Sequence, residues 1–455
     1  MFMAQLDSSV VLVALPQMAH SFGVRPVDLS IGVTIYILAQ ALVLPSSSWV
    51  ADRFGARGVF AGALGAFTLA SVLCAGSHTL GEFVAARILQ GVAAALMTPI
   101  ARIVLLQSTA KEDLIGVMTI STVPMLVAPT LGPPVGGFIV TYLSWPWIFL
   151  LNLPVGIAGV ALVLRFIPAP PPVPRRPFDL AGFFLLAAAT GSALVGLQQL
   201  SLSTPVWTLG GLLIAVGCVI GVLAVRQLER TDHPVLSLAS ARVHTFYATT
   251  LGGGTLVRLP AAALPFVLPL LFQVVLGYSA LYSGLLLLAV NGGDLLLKLV
   301  TTRTIRRFGF RAALVVSAGL MSAAIIACAL VAPLTGYWVS FAMLAGSGMA
   351  RSLLFTAMST LAFADVPHEE LTSSSVLWNL VQQIMTALGV SLAAVIVNLS
   401  ARVALEPAGH VSALSCQVAL VVMSVLGAGA MVSFARLHPD AGARLAGREV
   451  RGGTA

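Results

Sequence analysis

The chain has 455 residues, of which 58% are hydrophobic and only 9% are charged, and its mean hydropathy is +1.00. This composition excludes a soluble globular protein, because a water-exposed surface needs many more charged side chains. The net charge of +8 would suggest a nucleic-acid partner for a soluble protein. In a membrane protein the positions of the charges matter more than their total, so no nucleic-acid partner is expected.

The apolar runs predict an all-α membrane protein, because a membrane-spanning helix takes about 20 apolar residues. The N-terminal segment lacks a basic region and carries Asp7, so no cleavable signal peptide is expected. Charged residues and Pro/Gly breaks separate fourteen predicted helices, at residues 1–19, 29–50, 58–77, 80–108, 113–143, 147–167, 180–200, 205–226, 243–275, 280–300, 311–332, 337–363, 371–400 and 411–436.

The arginines predict the orientation of these helices. If the N-terminus is cytoplasmic, most loop arginines fall on the cytoplasmic side and only Arg25 and Arg402 fall outside. The sequence therefore predicts a multi-pass protein of the cell membrane, which is the inner membrane in a Gram-negative source, with both termini in the cytoplasm.

Two polar breaks divide the helices into groups of six, two and six. The first break is rich in proline and behaves as an extended spacer. The predicted domains are a six-helix bundle, a Pro-rich cytoplasmic linker, two additional helices, a second cytoplasmic linker, a second six-helix bundle and a cytoplasmic tail, at residues 1–167, 168–179, 180–226, 227–242, 243–436 and 437–455.

The fifth predicted helix contains the stretch APTLGPPVGG. Pro133 and Pro134 remove backbone donors, while Gly132, Gly136 and Gly137 leave one face without side chains. Small residues let another helix backbone come close in a membrane. Taken alone, the stretch is equally consistent with a tight helix crossing that has no further role.

This stretch resembles the fifth-helix antiporter motif of drug exporters in the major facilitator superfamily, with Ala128 in place of the leading Gly. The following SWPWIFLLNLPVG, Ser144–Gly156, is similar to a signature of the fourteen-helix drug:proton antiporter group. The resemblance implies two six-helix bundles plus two extra central helices. It also implies a secondary active exporter that works by alternating access.

Asp7 is the first candidate for proton coupling, because a carboxylate in an apolar helix is costly unless it has a partner or faces a cavity. Its surroundings, AQLDSSVVLVALP, resemble the first-helix signature of these antiporters. The alternative is a cap at the start of a helix.

Arg87 and Gln90 share one face of the fourth predicted helix at i, i+3. With Gly91 they resemble an Arg-x-x-Gln-Gly motif that is tied to proton transfer in this superfamily. The alternative for Arg87 is an anchor whose head group reaches the membrane surface.

The loop SWVADRFGARG is similar to the superfamily loop between helices two and three. This resemblance implies a cytoplasmic gate formed by Asp52, Arg53, Gly55 and Arg57, in which the two arginines bridge the halves. The alternative is a simple positive anchor on the cytoplasmic side.

The later half carries the intramembrane charges Arg258, Asp294, Lys298 and Arg351. Asp294 and Lys298 lie at i, i+4, a spacing that predicts an ion pair on one helix. A structural pair and a gating pair are both consistent with this spacing. Met97, Asn379 and Gln383 are weak candidates for the lining of a substrate cavity.

The expected function is proton-coupled export of hydrophobic or cationic small molecules, and the alternatives are export of an endogenous metabolite or siderophore, or solute sensing without transport. An enzyme is not expected, because the histidines and cysteines show no catalytic or metal-ligand spacing. No metal and no cofactor other than the coupling proton is expected. The expected partners are the small-molecule substrate and the lipid bilayer, and an adaptor protein stays an open alternative.

Overall fold

The computed structural model describes residues 2–108, 114–167, 177–201, 206–231, 234–330, 336–367, 370–404 and 411–442. Within these ranges the chain forms helices joined by short turns, and no strand occurs there. The predicted all-α architecture is confirmed. The chain divides into two compact units.

The first unit comprises Met1–Val235 and Phe272–Leu285, so a short piece of the later sequence packs with the earlier helices. Ten helices belong to it, numbered in chain order: α1 Phe2–Phe22, α2 Ser30–Val43, α3 Ser47–Phe54, α4 Ala56–Ala75, α5 Leu80–Ser108, α6 Leu114–Tyr142, α7 Trp147–Leu150, α8 Asn152–Phe166, α9 Leu180–Ser201 and α10 Trp207–Arg230.

The second unit comprises Leu236–Leu271 and Leu286–Ala455. One of its helices, α13, begins in the first unit. The helices are α11 His244–Thr250, α12 Gly253–Pro269, α13 Ala280–Phe308, α14 Phe310–Ala329, α15 Tyr337–Ala362, α16 Leu371–Val403, α17 Ala413–Ala428 and α18 Ala430–Ala435.

Twelve helical stretches in the described part of the chain are long and apolar enough to cross a membrane. The predicted count of fourteen is not confirmed. Ser30–Ser46 is a shorter apolar helix.

Four of the predicted helices are interrupted in the described part of the chain, those at 29–50, 147–167, 243–275 and 411–436. The helix predicted at 29–50 contains the 3-10 turn Leu44–Ser46, because Pro45 has no N–H to continue the α-helical ladder. The helix predicted at 243–275 breaks at Gly252 between α11 and α12 and ends in a π-helical turn, Leu270–Val275. Three prolines inside α12 weaken the same ladder.

Two similar loops end helices in the two units. Gly55 has a φ of +85° and Gly309 has a φ of +83°, values that L-residues with side chains rarely adopt. Both loops have the pattern Arg-Phe-Gly-x-Arg, in which x is any residue. The sequence thus repeats the same turn chemistry at the start of α4 and of α14.

The centre of the first unit lies where α1, α4, α5 and α8 meet. Helix α4 packs against both α5 and α8, and α1 contacts α8. Gly156 makes this crossing close, since a Cβ there would lie 2.9 Å from the Thr68 Cβ. The polar residues of the candidate site are buried at this meeting point.

The hairpin of α9 and α10 lies at the edge of the first unit. The two helices pack on each other, and α9 also contacts α2, where Gln198 donates a hydrogen bond to Ser30 at 3.3 Å. The outer face of α10 is apolar and exposed, with Leu212 61% and Val219 62% accessible. Such a face suits contact with lipid.

Candidate functional site

Asp7 lies in the second turn of α1 and is only 2% exposed. Its carboxylate accepts side-chain hydrogen bonds from other helices. The helix-cap alternative is therefore wrong, because Asp7 is inside the helix and its partners are remote in sequence.

Arg87 of α5 is the charged partner of Asp7. Its Nη1 donates to Asp7 Oδ2 at 2.7 Å, and the arginine is 1% exposed. A head group that reached the membrane surface would be accessible, so the anchor alternative is wrong. Gln90, one turn further along α5, donates from Nε2 to Asp7 Oδ1 at 2.9 Å.

Asn152, the first residue of α8, was not among the predicted site residues. Its Nδ2 donates to Asp7 Oδ1 at 3.0 Å and lies 3.3 Å from Ser71 Oγ. Ser71 of α4 also accepts from Gln90 Nε2 at 2.9 Å. Asn152 stands in the NLPVG stretch, so the signature that supported the family resemblance contained a signal for it. Ser71 stands in no such pattern.

Helix α2 closes the other side of Arg87. The guanidinium carbon lies 4.1 Å from the centroid of the Tyr36 ring, and Nε donates to the Gly32 carbonyl at 3.2 Å. A Cβ at Gly91 would collide with the Tyr36 carbonyl and lie 2.8 Å from the Ala39 Cβ. The Gln-Gly pair of the sequence motif thus supplies both a donor and the space for α2.

The electrostatics of this network depend on complete pairing. A buried ion pair is stable only where its remaining hydrogen-bonding groups are satisfied, and Asp7 accepts from Arg87, Gln90 and Asn152 within the described residues. A proton on Asp7 would cancel the negative charge and leave Arg87 without its counter-charge. The charge on this one carboxylate therefore decides whether the buried Arg87 has a counter-charge.

The antiporter-motif glycines of α6 face α1 next to Asp7. A Cβ at Gly132 would collide with Ser9, and one at Gly136 would lie 2.9 Å from Val10 Cγ1. Both positions are buried. The close approach expected between α6 and a neighbouring helix is present, and that neighbour is α1.

The third motif glycine faces the start of α13. A Cβ at Gly137 would lie 2.5 Å from the carbonyl oxygen of Ala280, and one at Gly284 would collide with the carbonyl of Pro133. Thr141 accepts a hydrogen bond from the backbone N–H of Leu281 at 3.0 Å. These contacts explain why residues 272–285 belong to the first unit.

The predicted cytoplasmic gate is only partly described. Gly55 adopts its positive φ, Arg53 is exposed, and the Asp52 side chain lies outside the described residues. Arg57 donates to the carbonyl of Leu164 at the end of α8, within the same unit. The bridging role of the arginines between the halves stays a prediction.

The expected pair of Asp294 with Lys298 is wrong. Asp294 Oδ2 accepts from Arg351 Nη2 of α15 at 3.2 Å, and in the described part of the chain Lys298 forms no ion pair with it. The helix spacing suggested Lys298, but the backbone contact of α13 with α15 brings Arg351 closer. Arg351 also donates to Asn291 Oδ1 at 3.0 Å.

Arg258 has a structural environment in α12. It is 1% exposed and donates from Nη1 to the carbonyls of Thr249 and Thr250, each at 3.2 Å. These carbonyls end α11, where a cation is favoured by the helix dipole. Gln382 accepts from its Nε at 2.7 Å, and the Trp378 ring centroid lies 4.3 Å from the guanidinium carbon.

The weak cavity candidates are dispersed. Met97 is fully buried in α5 of the first unit. Asn379 is exposed in α16 and donates to the carbonyl of Ser375 in its own helix at 2.8 Å, and Gln383 is half-buried in the same helix. Their role in substrate binding stays a prediction.

Comparison with curated proteins finds relatives along most of the chain. The "Putative multidrug resistance protein MdtD" of Serratia proteamaculans (strain 568) is 36% identical over 404 residues, which are 87% of this chain and 83% of the relative. The protein of the same name from Pectobacterium atrosepticum is 34% identical over 443 residues, 96% and 94% of the two chains.

Solved structures share the fold at low sequence identity. A bacterial homolog of the human lysosomal transporter Spinster, in an inward-facing and occupied conformation, has a TM-score of 0.67 at 15% identity and covers 99% of this chain and 96% of that chain. A D-xylose–proton symporter has a TM-score of 0.66 at 14% identity and covers 96% and 94%.

The family model described as Major Facilitator Superfamily matches residues 1–390. It covers α1 to α15 and most of α16, including Asp7, Arg87 and the α6 glycines. The relatives and structural neighbours are transporters rather than enzymes. The chain therefore belongs to the Major Facilitator Superfamily and is a multi-pass membrane transporter.

Proposed function

We propose that the chain is a proton-coupled exporter of hydrophobic or cationic small molecules that works by alternating access. The observation that carries this proposal is the ion pair of Asp7 with Arg87, buried at 2% and 1% exposure among apolar helices. Protons are the coupling ion, and no other cofactor is part of the proposal.

The buried ion pair of Asp7 with Arg87 supports proton coupling because burying charged groups in a membrane protein costs free energy. Ionisable groups inside a membrane protein are expensive, and they mark ion or proton pathways more often than structural contacts. Proton uptake at Asp7 would leave the Arg87 guanidinium without its counter-charge, which is strongly unfavourable for a buried cation. Protonation therefore changes which arrangement of these helices is stable, as a coupled transporter requires.

The contacts of α6 with α1 connect this charge change to helix packing. Gly132 and Gly136 lie against Ser9 and Val10, which follow Asp7 directly in α1. A shift of α1 on protonation must therefore be accommodated at these glycines. The relatives named for multidrug resistance support a lipophilic substrate class.

The location and topology follow from the same proposal. The chain lies in the cell membrane, which is the inner membrane in a Gram-negative source, with both termini in the cytoplasm. The excess of arginines in the loops predicted to face the cytoplasm supports this orientation. The six-plus-two-plus-six domain organisation is part of the proposal.

Everted membrane vesicles from a host that lacks its own efflux pumps provide the test. With ethidium as the probe, vesicles containing the protein should accumulate the dye when the vesicle interior is made acidic. They should release it when a proton/potassium ionophore collapses the pH gradient. Accumulation that does not depend on the pH gradient would contradict proton coupling. No accumulation of ethidium or any other lipophilic dye, with the protein present in the membrane, would contradict drug export.

A further inference from the structure

The second unit contains an ion pair that the Asp7 network does not use. Asp294 of α13 pairs with Arg351 of α15 at 3.2 Å, and their side chains are 25% and 24% exposed. Both residues lie near the middle of their helices. A partly exposed charge at that depth is much less costly beside water than beside lipid, which favours a water-filled cavity at this pair.

Glycines bring the two helices together at this level. A Cβ at Gly293 would collide with the carbonyl of Ala345, and one at Gly348 would collide with the carbonyl of Val290. Ser352 donates to the backbone carbonyl of Asp294 at 2.7 Å. The position of the Asp294 carboxylate relative to α15 is therefore set by backbone packing.

The carboxylate of Asp294 has fewer donors than that of Asp7. Its Oδ1 is buried and has no hydrogen-bond partner among the described residues, while Oδ2 accepts from Arg351. By contrast, both oxygens of Asp7 accept hydrogen bonds. A proton at Oδ1 would displace no hydrogen bond among the described residues, so Oδ1 is the oxygen of Asp294 that is open to a proton.

Among the charged groups around Asp294, one cation competes directly with a proton for the carboxylate. From α15, the helix that the described contacts place against this stretch, the facing cation is Arg351. On α13 itself, Lys298 lies one turn further on and Asn291 one turn before. Arg351 also contacts Asn291, so it keeps a partner when Asp294 is neutral.

We propose that Asp294 is a second proton-exchange site, accessible in this conformation while Asp7 is closed. The proposal rests on the function proposed above and deepens it, because two carboxylates would exchange protons in one transport cycle. A proton that binds Asp294 replaces the ion pair with Arg351 by a neutral carboxyl. The Asn291 contact then holds Arg351 in place.

Labelling with dicyclohexylcarbodiimide tests this directly on the wild-type protein in detergent. The reagent reacts with a protonated carboxyl, whose proton moves to a carbodiimide nitrogen while a carboxylate oxygen bonds to the central carbon. Peptide mass spectrometry should find the adduct on Asp294, with a yield that falls as the pH is raised. Asp7 should be labelled much less, because both of its oxygens already accept hydrogen bonds from Arg87, Gln90 and Asn152.

Two variants sharpen the result. Arg351→Gln should increase labelling of Asp294 several-fold, because the carboxylate loses its counter-charge, while Lys298→Gln should change it much less. A purely structural ion pair predicts no adduct in the wild-type protein. No adduct on Asp294 at any pH, or an adduct on Asp7 at equal or higher yield, would overturn the proposal.

The labelling does not require transport, so its outcome is separate from that of the ethidium assay. Where ethidium transport is present, the number of protons moved per ethidium should fall in Asp294→Asn. An unchanged ratio would also overturn the proposal. If ethidium transport is absent but labelling follows the expected pattern, drug export is the part that fails.

Discussion

At the scale of single residues, one buried carboxylate and the donors around it decide the chemistry of the first unit. Asp7 joins α1 to α5 through Arg87 and to α8 through Asn152. Each donor stabilises the charged form, and each also fixes a helix. Substitutions here therefore affect coupling and stability together, and the two effects have to be measured separately.

Asn152→Ala should lower stability by about 1–3 kcal/mol, the usual cost of removing one partner from a buried polar group. It should also impair coupled transport, since the Asp7 carboxylate loses a donor. Thermal unfolding in detergent and ethidium accumulation in vesicles measure the two effects. For thermal unfolding the matched control is Asn379→Ala, because Asn379 is exposed and donates to Ser375 of its own helix. Equal unfolding temperatures of the two variants would show that Asn152 is not part of the network.

Arg87→Gln should cost about 3–5 kcal/mol, because it leaves the Asp7 charge buried and uncompensated. The double variant Asp7→Asn with Arg87→Gln should recover much of this loss, since no net charge remains buried. Unfolding temperatures of the two single variants and the double variant give the comparison. A double variant less stable than either single one would mean that the two side chains do not act as a pair.

Lys298→Gln tests the corrected pairing in the second unit. It should leave the stability close to that of the wild type, whereas Arg351→Gln should lower it, because Arg351 is the cation that pairs with the Asp294 carboxylate among the described residues. The loss should be smaller than for Arg87→Gln, since this pair is partly exposed and solvent screens it. A larger effect from Lys298→Gln would contradict the observed pairing.

Much of the first site could be predicted from residues that are costly in a membrane. Asp7, Arg87 and Gln90 each stand out in an apolar run, and the structure brings all three together. Ser71 does not stand out, because serine is common in membrane helices. The predicted partner of Asp294, Lys298, is wrong because a sequence shows the spacing within one helix. It does not show the glycine contacts that bring Arg351 of another helix close to Asp294.

At the scale of helices, glycines determine which backbones come close. In α6, Gly136 has Val10 of α1 within contact distance, whereas Gly62 of α4 has no atom within 4 Å of the position of a Cβ.

Helix interruptions also arise at this scale. The breaks at Pro45 and Gly252 were missed because hydrophobicity continues across them while the backbone hydrogen bonds do not.

Gly136→Ala should impair export and lower the unfolding temperature, because its Cβ would lie 2.9 Å from Val10 Cγ1 and 3.0 Å from the Val10 carbonyl oxygen. Gly62→Ala is the matched control and should be neutral or stabilising by up to about 1 kcal/mol, since alanine favours helix. Both are assayed at equal expression in the membrane. Normal export by Gly136→Ala and Gly136→Leu would mean that the contact has no role in transport.

At the scale of the whole molecule, the all-α membrane architecture follows from composition alone, because so few charges cannot cover a soluble surface. The number of spans does not follow as directly. Interrupted helices such as Ser30–Ser46 are shorter than a hydropathy pattern suggests. The assignment of residues 272–285 to the first unit depends on contacts of Gly137 and Gly284 that no local pattern contains.

The most direct test of the central claim is proton movement in liposomes that contain the purified protein and an internal pH-sensitive dye. An imposed ethidium gradient should drive opposite proton movement in the wild type and in Asp28→Asn, a control whose carboxylate pairs locally with Arg25. Asp7→Asn should bind ethidium but move protons far more slowly than the wild type. Proton movement at the wild-type rate in Asp7→Asn would contradict the assignment of Asp7 as a coupling carboxylate.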